Sequence, residues 1–401
     1  MPTSSPDFSA APSALGYLYQ VRYALVLLLE AKDADSVISI EKLDDVAFEE
    51  GGDPTQLLQF KHHISHRAVM TDSSADLWKT LRIWATKVRD GSLDLSKVIL
   101  SIVTTSPAPA GSAAHLLRDS VDRDEVSALT KLQKAGAASE NKTVKQAWAD
   151  FDALSREAQE ALLSRIRVLD EAPDIQRARN LLEMTLRYST RPQFLAGLCD
   201  RLEGWWFRRA VEHLKDPATY SGISLREAQL EITDLSEQFR LDNLPVDFPI
   251  ELDVDESRLP PDERLFVEQL RLVLVSNERI KKAISDYWRA FQQRSRWVRE
   301  DLILDKDLEE YEDRLLREWE ELFLIMKEKL TEGADHAVEG RNLYNRIVIE
   351  GKHIAIRPSF PNPFVMRGSF HMLANTLRVG WHPQFRERFA NVINKAMRAA
   401  S

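Results

Sequence analysis

Apolar residues recur every three or four positions over residues 15–31, at Leu18, Val21, Leu25, Leu28 and Leu29, which marks a buried amphipathic helix. After the polar turn Lys32-Asp33-Ala34-Asp35 the period drops to two. Residues 36–41 alternate around Val37, Ile38 and Ile40; residues 45–49 follow, and residues 55–61 come after a Gly51-Gly52-Asp53-Pro54 turn. Two short strands joined by such a turn read as a hairpin. Helical spacing returns over residues 74–89, with Leu77, Trp78, Leu81 and Trp84 inward. The nearly unbroken apolar stretch 97–104 then suits a central strand covered on both faces. Residues 124–135, 143–154 and 157–166 read as a helical insertion, 166–169 as one more strand, and 174–187 and 194–214 as helices.

Past Asp216-Pro217-Ala218-Thr219-Tyr220-Ser221-Gly222, a linker by its breakers and turn residues, the pattern is helix-rich. One helix covers 225–239, an irregular acidic stretch covers 244–261, and a long helix runs from about 263 towards 302. Another spans 306–330, where Leu308, Tyr311, Leu315, Trp319, Leu322, Met326 and Leu330 form an apolar stripe better suited to an internal core than to an exposed coiled-coil seam. Two long helices with a short connection are expected to pack antiparallel. A short β element, 346–349 with 354–357, is expected around Glu350-Gly351-Lys352, and the chain ends in helices from about 370 to 379 and from 384.

At 401 residues the chain exceeds one ordinary core. The expected division is a Ser/Pro/Ala-rich disordered leader (1–14), an α/β N-terminal domain with a mixed central sheet flanked by helices (15–220), and a helix-rich C-terminal domain (221–401). The leader has neither a charged start nor an apolar core, so it does not read as a signal peptide. The longest apolar run, residues 24–29, is too short to span a membrane. A cytoplasmic protein is expected. The single cysteine, Cys199, rules out an intrachain disulfide and a cysteine-based zinc site. A net charge of −9 argues against a nucleic-acid coat protein, yet it allows an enzyme that meets DNA through one local basic groove.

Strand parity supplies the candidate chemistry. Leu57, Gln59 and Lys61 point one way, Leu58 and Phe60 the other; in the preceding strand Val46 and Phe48 oppose Asp45, Ala47 and Glu49. A hairpin therefore gathers Asp45, Gln59 and Lys61 on one surface. A carboxylate suits Mg²⁺ or Mn²⁺, which needs few protein oxygens beside water and phosphate. The Gln59 amide oxygen, or the Phe60 carbonyl, can complete the ligand set. Lys61 can stabilise charge on a phosphoryl group or position the attacking water. Glu41 offers a second carboxylate, and Gln20 and Glu30 on the first helix are accessory positions. The bland reading is a solvated lysine on a strand and a turn opened by Asp44-Asp45. His62, His63 and His66 fit no standard zinc spacing; a loop beside the cleft touching DNA phosphate, His62 first, suits them better. Trp205-Trp206-Phe207-Arg208-Arg209 reads as core packing with outward arginines rather than as a nucleic-acid groove. His382 reads as a turn residue. Gly51-Gly52 is no phosphate loop, and no Gly-x-Ser-x-Gly elbow is present.

Gly16-Tyr17-Leu18-Tyr19-Gln20 entering a helix, Ile40-Glu41-Lys42-Leu43-Asp44-Asp45-Val46, and Leu58-Gln59-Phe60-Lys61-His62 together resemble the double-stranded-DNA endonuclease domains of bacterial anti-phage systems, of the CD-NTase-associated type. These belong to the PD-(D/E)xK superfamily and use the Gln-x-Lys form of its last motif. The resemblance covers roughly residues 15–105 and implies a restriction-endonuclease-like fold. It further implies Asp45 as metal ligand, Gln59 where an acid usually stands, and Lys61 as catalytic lysine. Residues 368–385, with His371, Leu373, Ala374 and Gly380-Trp381-His382-Pro383, are similar to the C-terminal domains of ABC-three-component defence effectors such as Lamassu. That likeness implies an SMC-like ATPase and a third subunit as partners, with self-assembly into a homo-oligomer on activation. The function expected is metal-dependent cleavage of double-stranded DNA with little sequence preference. The alternatives are an inactive nuclease-fold module that binds DNA or partner subunits, and an RNase.

Overall fold

The computed structural model describes residues 11–42, 45–51, 53–61, 69–216, 222–248, 264–330 and 332–390. The chain divides into two compact units, Met1–Leu235 and Ser236–Ser401. The expected linker at 216–222 falls within the first unit; its residues 217–221 lie outside the described residues, as does most of the acidic stretch before 264.

In the first unit, helix α1 (Ala11–Glu30) begins inside the stretch expected as a disordered leader. Pro12 sits in its first turn, where a missing N–H costs no intrahelical bond. Strands β1 (Val37–Ile40), β2 (Val46–Glu50) and β3 (Asp53–Lys61) form an antiparallel meander. Helix α2 (Ala75–Arg89) then carries the chain to β4 (Ile99–Thr104), which lies parallel to β3. Helices α3 (Ala113–Leu116), α4 (Glu125–Ala138), α5 (Lys142–Asp152) and α6 (Arg156–Arg165) precede β5 (Ile166–Leu169), parallel to β4. After α7 (Ile175–Leu186) and α8 (Leu195–Lys215), β6 (Ile223–Ser224) pairs with β1, and α9 (Leu225–Gln238) follows. The sheet order is β5-β4-β3-β2-β1-β6, so the mixed sheet flanked by helices is present.

The register fixes what each face holds. Val46 pairs with Leu58 and Ala47 with Leu57; Leu57 lies beside Leu100, and Gln59 beside Ile102. On the Ala47/Leu57 face the sheet is buried by Leu77, Trp78, Leu81 and Trp84 of α2 and by the apolar sides of α4–α6. Gly136 of α4 allows this packing, because a Cβ there would lie 2.5 Å from the Trp148 ring. On the other face Phe60 is met edge-on by Tyr19 and Tyr23 of α1, each with ring centroids 5.9 Å away. Trp206 of α8 donates its indole N–H to the Val21 carbonyl at 2.6 Å. Only Trp206 of the Trp-Trp-Phe run is fully buried, and Phe207 is exposed. Consecutive helical residues point about 100° apart, so three in a row cannot share an inward face.

The second unit departs from the sequence expectation in three places. The long helix expected from 263 to 302 is broken into α10 (Leu265–Leu272) and α11 (Asn277–Arg299). Leu274 takes a left-handed conformation (φ 58°), and Val275 N–H turns back to the Leu270 carbonyl at 3.1 Å. Burial of Val273 and Val275 on either side holds that break. Second, the β element expected at 346–349 is the end of helix α13 (His336–Glu350). Asp335 caps it by accepting from the N–H groups of Ala337 and Val338, and Leu343, Tyr344 and Ile347 form its buried stripe. A single 3₁₀ turn, Gly351–His353, follows. The Ile354 and Ile356 carbonyls accept from Tyr311 and Arg314 of α12 (Asp305–Glu328) at 3.1 and 3.3 Å, so this segment bonds to helix side chains rather than to a strand. Third, the main partner of α11 is α14 (Phe364–Asn375) rather than α12. Gly368 explains the choice: a Cβ there would fall 2.2 Å from the Asp286 carbonyl oxygen, so only glycine lets the two helices come so close. A short α15 (Phe385–Arg388) ends the described chain.

Candidate functional site

Three features of the β1–β2 connection set the candidate site. Glu41 adopts a left-handed backbone (φ 57°), which turns the chain at the end of β1. Its N–H donates to the Asp45 carbonyl at 2.9 Å, closing the turn. The Asp45 carboxylate then accepts the Phe60 N–H through Oδ2 at 2.7 Å. That charge-assisted bond stands where β2 would otherwise supply a ladder carbonyl, and it fastens Asp45 to the carboxyl end of β3. Asp45 directly precedes Val46, the partner of Leu58, so its bond to Phe60 N–H sets it at the strand end beside Gln59. Lys61 follows two residues on, half-buried at the end of β3 and in register with the buried Thr104.

Gln59 is the unusual member. It is only 4% exposed, and its Oε1 is buried without a hydrogen-bond partner among the described residues. A buried acceptor left unpaired costs roughly 1–3 kcal/mol.

The other sequence candidates separate by position. Gln20 is half-buried on α1, three residues from Tyr17 and so on the same helical face. Burial pushes the Tyr17 hydroxyl above its usual pKa, and the Glu41 carboxylate adds to the effect, so this face of α1 stands near the Glu41 turn. Glu30 lies at the far end of α1, ten residues and about 15 Å along the axis from Gln20, and the structure does not bring it to the Asp45 end. Asp44, His62, His63 and His66 lie outside the described residues. His382 accepts the Gln384 N–H at Nδ1, 3.0 Å away, and acts as a turn residue. Cys199 is buried, which pushes its thiol up to about 12 and leaves it protonated.

Sequence reasoning passed over two groups here. Tyr19 and Tyr23 hold Phe60 and thereby the Gln59–Lys61 strand end; their i,i+4 spacing was the available signal. Lys42 pairs with the buried Glu49 at 3.0 Å. His213 of α8 lies within the field of both; burial first, and then the Lys42 charge, push its pKa down, so it is neutral. No local pattern joins positions 42, 49 and 213.

Among the described residues no group of three or more His, Cys, Asp or Glu side chains is arranged to hold a metal ion. At the neighbouring strand ends, Asp170 is committed to structure, accepting from Ala108 N–H at 2.8 Å and pairing with Arg118 at 2.5 Å. The oxygen donors at the β3 end are Asp45 and the Gln59 amide oxygen, with the Glu41 turn bonded to Asp45 through its backbone. These are hard oxygen ligands, too few for a closed protein cage. They fit Mg²⁺, which is commonly held by one or two carboxylates with water and substrate phosphate completing the shell.

Residues 266–389, essentially α10 to α15, match the family model for C-terminal domain 7 of the ABC-three component (ABC-3C) systems. The match supports a component of a multi-subunit anti-phage defence system. No curated protein and no solved structure matches the chain. No described helix is long and apolar enough to cross a membrane.

Proposed function

We propose that the first unit is a metal-dependent endonuclease of the PD-(D/E)xK type that cuts double-stranded DNA with little sequence preference. The observation that carries this reading is the buried, unpaired Gln59 oxygen beside Asp45 at the end of the strand that also bears Lys61. The order α1-β1-β2-β3-α2-β4, with β3 and β4 parallel, supports it, because it gives the mixed sheet that the motif resemblance implies.

In this reading Asp45 and Gln59 hold Mg²⁺ or Mn²⁺, with Glu41 as the further carboxylate. When bound, the ion supplies Lewis-acid polarisation of the scissile phosphate and a lowered pKa for water. The Phe60 N–H fixes the Asp45 carboxylate in place, so little reorganisation is needed at the strand end. Lys61 brings a compact positive charge against the phosphoryl oxygens as negative charge builds on them. Gln20 lines the approach of the duplex. The second unit docks the chain to the other subunits of its defence complex, an SMC-like ATPase and a third component, and supports self-assembly into the active homo-oligomer.

Lys61→Ala and Asp45→Ala should each abolish Mg²⁺-dependent cleavage of plasmid DNA, assayed with and without the partner subunits, while circular dichroism stays unchanged. Parallel digestion of RNA separates an RNase from a DNase. The small set of acidic ligands favours a second reading, an inactive nuclease-fold module that binds DNA or partner subunits. Phage defence that survives Asp45→Ala would establish that reading in place of the first.

A further inference from the structure

The C-terminal unit contains a cavity of about 230 Å³ between α11, α13 and α14, whose walls include Arg279, Lys282, Asp286, Tyr344, Arg367 and His371. Three of these side chains are cations and one is an acid, so the wall carries a net charge of about +2 before any ligand enters. The cations are only partly used. Arg367 spends Nε on Asp286 at 2.5 Å, and Arg279 spends Nη1 on Asn345 at 2.6 Å while lying over the Tyr344 ring at 5.0 Å. The remaining guanidinium N–H groups of both, and the exposed Lys282 ammonium, have no partner among the described residues. His371 is buried, and its Nδ1 is also without a partner.

Asp286 accounts for part of this arrangement but not all. It is buried and lies between Arg367 and Arg289, the latter at 3.5 Å, so its charge is already compensated. Among the described residues, neither Arg279 nor Lys282 is paired with a carboxylate. Burying unpaired polar groups and crowding like charges both oppose folding. An anion in the cavity would reverse both costs.

We propose that this cavity binds a small phosphomonoester. The net +2 wall matches its dianion, and two guanidinium groups can each grip phosphate oxygens through paired N–H donors. The volume lies below the 300–1,000 Å³ of drug-sized sites, which limits the ligand to a phosphate with a small polar body such as a phosphorylated sugar. The cavity lies wholly in the C-terminal unit, so the proposal does not depend on nuclease chemistry.

The test is calorimetric titration of the full-length protein with ribose 5-phosphate, ribose and inorganic phosphate at matched ionic strength. Saturable binding of ribose 5-phosphate is expected, displaced by inorganic phosphate, with ribose silent. Lys282→Glu, an exposed change that leaves the core packing intact, should weaken binding about tenfold or more, and Arg279→Gln should do likewise. Lys281→Ala, on the same helix and outside the cavity wall, should leave it unchanged. No saturable binding at millimolar ribose 5-phosphate, equal binding of ribose, or undiminished affinity in Lys282→Glu would each overturn the proposal. Preferential uptake of a carboxylate probe such as citrate would overturn the phosphate assignment.

Discussion

Buried glutamines in the C-terminal unit and at the β3 end of the N-terminal sheet are treated differently. In the C-terminal unit Gln293 is fully buried, and both ends of its amide are engaged. Its Oε1 accepts from Asp247 and Phe248 N–H at 2.8 and 3.3 Å, and its Nε2 donates to the Pro245 carbonyl and to Asp247 Oδ2 at 3.2 and 2.9 Å. Gln269 likewise gives Nε2 to the Ala374 and Val379 carbonyls and takes the Trp381 N–H at Oε1. At the β3 end of the N-terminal sheet, Gln59 is as deeply buried, yet its Oε1 is unpaired. The amide is the same and so is the degree of burial. Gln269 and Gln293 hold irregular chain segments in place, whereas Gln59 keeps an acceptor ready beside a carboxylate and a lysine.

The largest effect that sharpens this contrast belongs to Lys61. Lys61→Ala should lower duplex cleavage by about 10³-fold, on the order of 4 kcal/mol in the barrier, with an unchanged melting temperature. An equal loss of cleavage and of stability would make Lys61 a structural residue. Next comes Gln293→Ala, which strands the half-buried Asp247 and Phe248 N–H groups and leaves the Pro245 carbonyl with only the Trp297 indole N–H. Its cost should be about 3 kcal/mol in denaturant unfolding of the C-terminal unit; a change below about 1 kcal/mol would remove the contrast with Gln59.

A smaller effect concerns the buried imidazole of the C-terminal cavity. Burial pushes His371 from its usual 6.5 down to about 3, and the Arg367 charge adds to the shift. The folded chain therefore leaves this ring neutral while the unfolded chain protonates it near its ordinary pKa. Stability from this source is full above about pH 6.5 and is lost as pH falls towards 3. Between pH 6.5 and 5 the loss should be about 2 kcal/mol, and His371→Gln should flatten that slope in urea titrations of the C-terminal transition. Smallest of all is the stability change in Gln59→Leu. Removing the unpaired acceptor should raise stability by about 1 kcal/mol.

Much of the N-terminal layout was legible because strand parity is a strict rule. Gln59 and Lys61 share a face of β3 because a strand period of two leaves no other choice, and Asp45 is tied to the same strand end by its bond to the Phe60 N–H. The helical insertion and β5 were legible for a similar reason, since each has its own local period. The C-terminal errors came from tertiary terms. Nothing local in Val273-Leu274-Val275 marks a left-handed break, which is held by burial on both sides. The pairing of α11 with α14 rests on one glycine, Gly368, whose role appears only when the Asp286 carbonyl is opposite it. Within the site, no local pattern signals that Asp45 takes the Phe60 N–H, or that the Gln59 oxygen is buried unpaired, because both depend on where neighbouring strands end.

Gln59→Leu offers the most direct measurement of whether that unpaired oxygen serves chemistry. Mg²⁺-dependent cleavage of linear duplex DNA should be followed for wild type and variant, alone and with the partner subunits, alongside the unfolding free energy of each. The variant should lose cleavage while keeping or slightly gaining stability. A Gln59→Leu protein that cuts duplex DNA at the wild-type rate and with the same Mg²⁺ dependence would contradict it.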